Sequence, residues 1–145
     1  STSRGLGDVY KRQAIGHQAL EAQTDANYNV AIGFAAGKAT TTGEYNVFIG
    51  GEAGEANTTG DDNVAVGMRA FEAATTANDN VVVGYQAGTS ITTGSNNCFF
   101  GTLAGKSKTT PDFNVAIGHV IKFLSNVLWL GISRFEFISF KFLLR

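Results

Sequence analysis

The chain has 145 residues, 43% of them hydrophobic, and a formal net charge of −1, which suits one ordinary domain with its own core. A single cysteine excludes an intrachain disulfide framework and a multi-cysteine metal site, and a single proline excludes collagen-like and proline-rich chains. Residues 14–118 carry ten acids against four bases, a balance unlike that of a nucleic-acid or membrane-surface binder.

In chain order, residues 1–13 form a leader with three bases and one acid and no recognisable signal peptide. From residue 14 the chain becomes periodic. The pentapeptide "NVAIG" at 29–33 returns as "NVFIG", "NVAVG", "NVVVG", "NCFFG" and again "NVAIG" at 114–118. Its closing glycine stands at Gly16, Gly33, Gly50, Gly67, Gly84, Gly101 and Gly118, every interval being 17 residues. The opening asparagine keeps the same interval at Asn29, Asn46, Asn63, Asn80, Asn97 and Asn114. An alanine follows three residues after each of these glycines except Gly118, and a threonine pair such as Thr41–Thr42 or Thr58–Thr59 precedes a turn residue. After Gly118 the period fails. Residues 119–145 hold the only tryptophan, Trp129, and five of the eleven phenylalanines. No run reaches the 18 or so apolar residues of a membrane span.

Val, Ile, Thr, Asn and Gly are poor helix formers, and "NVAIG" alternates as a strand does. One short strand per fixed-length unit predicts an all-β fold, a parallel β-solenoid or β-roll of about six 17-residue coils over 14–118. At about 4.8 Å per coil the rod would be roughly 30 Å long. A loop on an ordinary domain tolerates insertions. Their absence here predicts that each coil lies in register on its neighbours.

The repeated glycines are expected at sharp corners, where φ is positive or a Cβ has no room. The asparagines are expected to form a ladder along the stack. The apolar Val30 and Ile32, with Val64, Val66 and their other equivalents, are assigned to the coil interior, so that Val66→Asp should disrupt the stack. Cys98 falls in the same set and reads as a buried, inert thiol. The intervening mid-strand residues Ala31, Phe48, Ala65, Val82, Phe99 and Ala116 then face outward, as a candidate inter-chain face. Tyr28, Tyr45 and Phe113 share a second outward position, and Phe34 and Tyr85 a third. The threonine pairs read as turns rather than an ice-binding array. Asp61–Asp62 and Asn78–Asp79 offer oxygen ligands, but no complete ligand loop recurs, and a solvated edge is expected there. No catalytic constellation, metal site or cofactor motif is evident, and His17 and His119 lie at opposite ends of the array.

"NVAIG" followed by "AG", "TTG" and another "NVAIG" resembles repeats of phage and virus tail-fibre proteins. It is also similar to the head repeats of trimeric autotransporter adhesins. The resemblance covers about residues 14–118, and the 17-residue unit with "TTG" favours the viral fibre. It implies a homotrimer and a non-catalytic structural segment of a virion tail fibre supporting host attachment. Adhesion to a host surface glycan or protein would pass through parts not in this chain. The alternative is a bacterial adhesin head at the cell surface. In either case the sequence is expected to be a piece of something longer.

"GLGDVYKRQ" at 5–13 resembles a translated sequencing-adapter read-through of metagenomic assemblies, and residues 1–12 are expected to lack stable structure. For residues 119–145 three readings stay open: an apolar cap, an amphipathic helix at a trimer interface or membrane surface, and an out-of-frame tail.

Overall fold

The structure, a computed structural model, describes residues 11–107, 109–119 and 129–130. The chain forms the expected parallel β-solenoid. Its strands are β1 (Arg12–Ile15), β2 (Asn29–Ile32), β3 (Val47–Ile49), β4 (Val64–Val66), β5 (Val81–Val83), β6 (Cys98–Phe100), β7 (Val115–Ile117) and β8 (Trp129–Leu130). They lie in one parallel sheet in chain order. From β1 to β7 every register is the 17-residue interval, as in Val30↔Val47 and Val47↔Val64. The pairing Ala116↔Trp129 breaks it, in line with the loss of period after Gly118. Among the described residues there is no helix, and none long and apolar enough to cross a membrane.

β1 begins at Arg12, inside the segment expected to be unstructured, and Arg12 pairs with Asn29. Residues 1–10, and nearly all of the tail on which three readings stayed open, lie outside the described residues.

The rest of each coil is bonded to its neighbours as thoroughly as the strand. Gly37, Gly54, Phe71 and Gly88 donate their N–H to the alanine carbonyl of the next coil at 2.8–2.9 Å. Thr41, Thr58, Thr75 and Thr92 donate to the next coil's equivalent threonine at 2.7–2.9 Å. Glu52, Arg69 and Gln86 donate back to the previous coil at 2.8–3.0 Å. Backbone polar groups out of water must be paired. An inserted residue would unpair several at once, which is the physical reason for the invariant spacing.

The turns rest on left-handed backbone at fixed places. The corner glycines have φ between 124° and 138°. A Cβ on Gly67 would lie 2.6 Å from the Gly84 carbonyl oxygen, so both conformation and space require glycine. Non-glycine residues also adopt positive φ, Arg69 (59°), Phe71 (58°) and Asp79 (57°) among them. The sequence reading did not anticipate these, because glycine is not what marks them.

The structure reverses the predicted facing of the strands. Ala31, Phe48, Ala65, Val82, Phe99 and Ala116 are fully buried inside the coil, so they are not an inter-chain face. The Val30, Ile32, Val64 and Val66 set lies on the outside, partly exposed. Strand periodicity separates two faces without saying which is inner. The deciding factor is room. A 17-residue coil has a narrow lumen, lined opposite the strand by Ala36, Ala53, Ala70, Ala87 and Ala104. Small side chains fit it everywhere, and large ones only where space has been cleared.

That clearing is visible in the fill. Where the mid-strand residue is Phe48 or Phe99, the residue six places later is Gly54 or Gly105. Where it is Ala65, that place holds Phe71, fully buried. Val82 is followed by Gly88 and supplemented by the buried Ile91. The coil of Ala31 and Gly37 has neither, and a Cβ on Gly37 would lie 2.7 Å from Phe48 and 2.9 Å from Leu20. Its neighbours above and below fill it, which keeps the interior near close packing.

Candidate functional site: the outer face of the sheet

Two columns of side chains cover the outside of the sheet. One runs Val30, Val47, Val64, Val81, Cys98, Val115, and the other Ile32, Ile49, Val66, Val83, Phe100, Ile117. No charged or polar residue interrupts either from β2 to β7. Several members are well exposed, Phe100 at 45% and Ile117 at 51%. The surface extends sideways. Before the strands stand Tyr28 and Tyr45, stacked with ring centroids 4.9 Å apart, and Phe113. After the corners stand Phe34, Met68 and Tyr85, each at least 44% exposed, and His17 stacks on Phe34 at 5.8 Å. Exposed apolar patches of this extent mark interaction surfaces on soluble proteins. Cys98, expected in the interior, belongs to this outer face and is half-buried.

The expected corner and ladder residues hold this face in place. Asn46, Asn63, Asn80 and Asn97 are buried. The Asn46 side-chain oxygen accepts from the backbone N–H of Asn63 at 3.0 Å and from its amide at 3.1 Å. The amide of Asn63 donates to the Ala77 carbonyl at 2.7 Å. Asn29 Nδ2 bonds Gly43 at 2.7 Å, and Asn97 Nδ2 bonds Pro111 at 2.7 Å. Asn114 closes the series, bonding Asn97 Oδ1 through backbone and amide at 3.1 and 3.0 Å. Each rung therefore joins neighbouring coils and a turn carbonyl.

A second polar ladder went unrecognised in the sequence because its residue type changes at every step. Asp61 Oδ1 accepts the Glu44 N–H at 2.7 Å, Asn78 Oδ1 that of Asp61 at 2.8 Å, and Asp112 Oδ1 that of Ser95 at 2.8 Å. Ser95 Oγ serves Asn78 at 3.1 Å. The shared property is an oxygen on a short side chain. These oxygens are engaged by backbone, which accounts for Asp61 and Asn78 without a metal. Thr41, Thr58, Thr75 and Thr92 likewise use their hydroxyls to bond the next coil's carbonyl at 2.9–3.1 Å.

Away from the sheet, Glu52, Glu55 and Glu72 bring their carboxylates within 4.8 Å of one another. Arg69 fills the role of cation there. It forks onto Glu72 at 2.9 and 2.7 Å and reaches Glu52 at 3.2 Å. The hydrogen bonds from Arg69 hold the Glu72 carboxyl below its ordinary range, against the opposing effect of burial, and Thr89 adds a further bond. The Arg69 guanidinium is shifted up, chiefly by Glu72. The group reads as a surface ion-pair network.

No family model matches the chain, and neither a curated protein nor a solved structure proved similar to it.

Proposed function

We propose that the chain is a non-catalytic structural segment of a viral tail fibre, in which three copies pack through the outer face of the sheet. The observation that carries this reading is the unbroken apolar surface running from Val30 and Ile32 to Val115 and Ile117 on a rod with no slack between coils. A lone chain leaves those side chains half-buried or exposed. Covering the apolar surface that remains is worth about 25 cal/mol per Å². Two neighbouring copies, each offering the same face, would cover them and produce a stiff column. Such a column suits mechanical spacing and the presentation of receptor-binding parts during host attachment. The repeat resemblance supplies the viral setting, and the same architecture would serve a bacterial adhesin head.

Sedimentation of the intact chain tests the assembly. A species of three times the chain mass with native β signal is expected. A stable soluble monomer overturns the reading. Baseplate genes or a downstream chaperone domain beside the coding sequence would favour the fibre over the adhesin, whose mark is a coiled-coil stalk and a β-barrel anchor.

A further inference from the structure

We infer that Tyr28 and Tyr45 form a site of oxidative modification, where a one-electron oxidant joins the two rings as dityrosine and so staples neighbouring coils together. Their rings are stacked, with centroids 4.9 Å apart and planes 6° apart. Both residues have φ 58°, so their side chains leave the backbone in the same direction. The Tyr45 N–H bonds the Asn27 carbonyl at 3.3 Å, which carries the strand spacing of about 4.8 Å through to the rings. At 47% and 51% exposure both rings can be reached from solvent. Each can also turn about its Cβ–Cγ bond, a fast motion for an exposed side chain.

Coupling needs a pair, and this is where the chain provides one. Tyr85 is 44% exposed but follows the corner after β5, on the opposite flank of the sheet. In the coils beyond Tyr45 the same place holds Asp62, Asp79 and Asn96, then Phe113, none of which can couple in this way. The two tyrosines flank β2, beside the edge strand β1, and elements at an edge open first. A bond between residues 17 apart closes a loop across the first coils and holds them together, as a disulfide would.

The oxidant is a peroxidase turning over hydrogen peroxide. It removes one electron from each phenol, the hydroxyl proton leaves as well, and two phenoxyl radicals result. They pair by forming a bond between one carbon ortho to the oxygen on each ring. The hydrogen on each joined carbon then moves to the oxygen, which restores both phenols. The chain loses two hydrogens in all, and one peroxide becomes two waters.

The test oxidises the intact chain with peroxidase and hydrogen peroxide, after circular dichroism has verified its native β signal, and maps linked peptides by mass spectrometry. The expected product has the mass of one chain less two hydrogens, with a link between Tyr28 and Tyr45. Tyr45→Phe preserves the stack and should lose that link. Tyr28→Phe/Asp62→Tyr should regain a link, now between positions 45 and 62, because Asp62 repeats the backbone setting of Tyr45, with φ 57° and its N–H on the Glu44 carbonyl at 3.1 Å. A folded wild-type chain that forms no dityrosine, or whose links run between chains or to Tyr85, overturns the inference. The link within one chain is read whether the protein sediments as a monomer or a trimer, so this inference and the three-copy reading stand or fall separately.

Discussion

Gly37 and Phe48, in adjacent coils, occupy one volume between them, since a Cβ on the glycine would lie 2.7 Å from the phenylalanine ring. Phe48 is similarly crowded by Gly54 of its own coil, whose φ is 59°. In the next coil the arrangement is reversed, with Ala65 on the strand and Phe71 at φ 58° in the place of Gly54. Phe48→Ala should cost about 3–5 kcal/mol, the usual range for emptying a phenylalanine site. Gly54→Phe alone should also destabilise, by overpacking. The double variant Phe48→Ala/Gly54→Phe copies the neighbouring coil and should recover most of the loss. Chemical denaturation of the four proteins gives the coupling directly. Additive losses would show that the two positions do not share the lumen.

Gly67→Ala isolates the corner. At φ 132° an added methyl is strained whatever the space, and here it also meets the Gly84 carbonyl at 2.6 Å. The cost should exceed the 1–3 kcal/mol of a strained backbone alone, because the sheet must open to relieve the clash. Gly51→Ala, beside the corner Gly50, where an added Cβ would meet only Met68 Cγ at 3.9 Å, should change the chain's melting temperature little. Thermal melts of the two variants, monitored by circular dichroism in the far ultraviolet, provide the comparison.

Much of this fold was legible in residue spacing. The interval between Gly33 and Gly50 sets the coil length, and the Val–Ala–Ile alternation sets one strand per coil. What misled was assigning the inside by hydrophobicity. Val and Ile are more apolar than Ala, but the lumen selects by volume. The covariation of Phe48 with Gly54, Ala65 with Phe71 and Phe99 with Gly105 was present in the sequence and marks these pairs as sharing one space. The corner glycines and the asparagine ladder were legible because one residue type recurs. The ladder of Asp61, Asn78, Ser95 and Asp112 was not, because only side-chain length and oxygen chemistry recur. The positive φ of Arg69 and Asp79 left no trace in composition.

The Arg69–Glu72 pair sets an acid-side pH dependence. The Glu72 carboxyl lies below its ordinary value of 4.5 in the folded chain. A depressed carboxyl contributes stability that is present above the unfolded value and lost as pH falls through the folded one. Glu72→Gln should therefore lower the melting temperature modestly at neutral pH, modestly because the network is partly exposed, and flatten the decline in stability below about pH 4.5. Melting temperatures of wild type and variant across pH 2–7 should converge towards the acid end. Parallel curves would show that the pair contributes nothing.

Ala65 and Val66 are adjacent in sequence and opposite in consequence. Ala65 is fully buried in the lumen, and Val66 lies partly exposed on the outer face. Ala65→Asp places a carboxylate where no partner is available and adds volume to a filled interior. A cost of at least several kcal/mol is expected, with loss of the β signal. Val66→Asp puts the same charge on the outside of the sheet, where water reaches it in a single chain. The coil should keep its fold and its β signal. In the assembly, however, three such carboxylates would converge on the shared apolar face and repel one another, so Val66→Asp should sediment as a monomer. Circular dichroism and sedimentation on both variants separate the two outcomes. Unfolding by Val66→Asp would mean that the outer columns belong to the core after all, and a trimer that tolerates it would move the interface to another face of the rod.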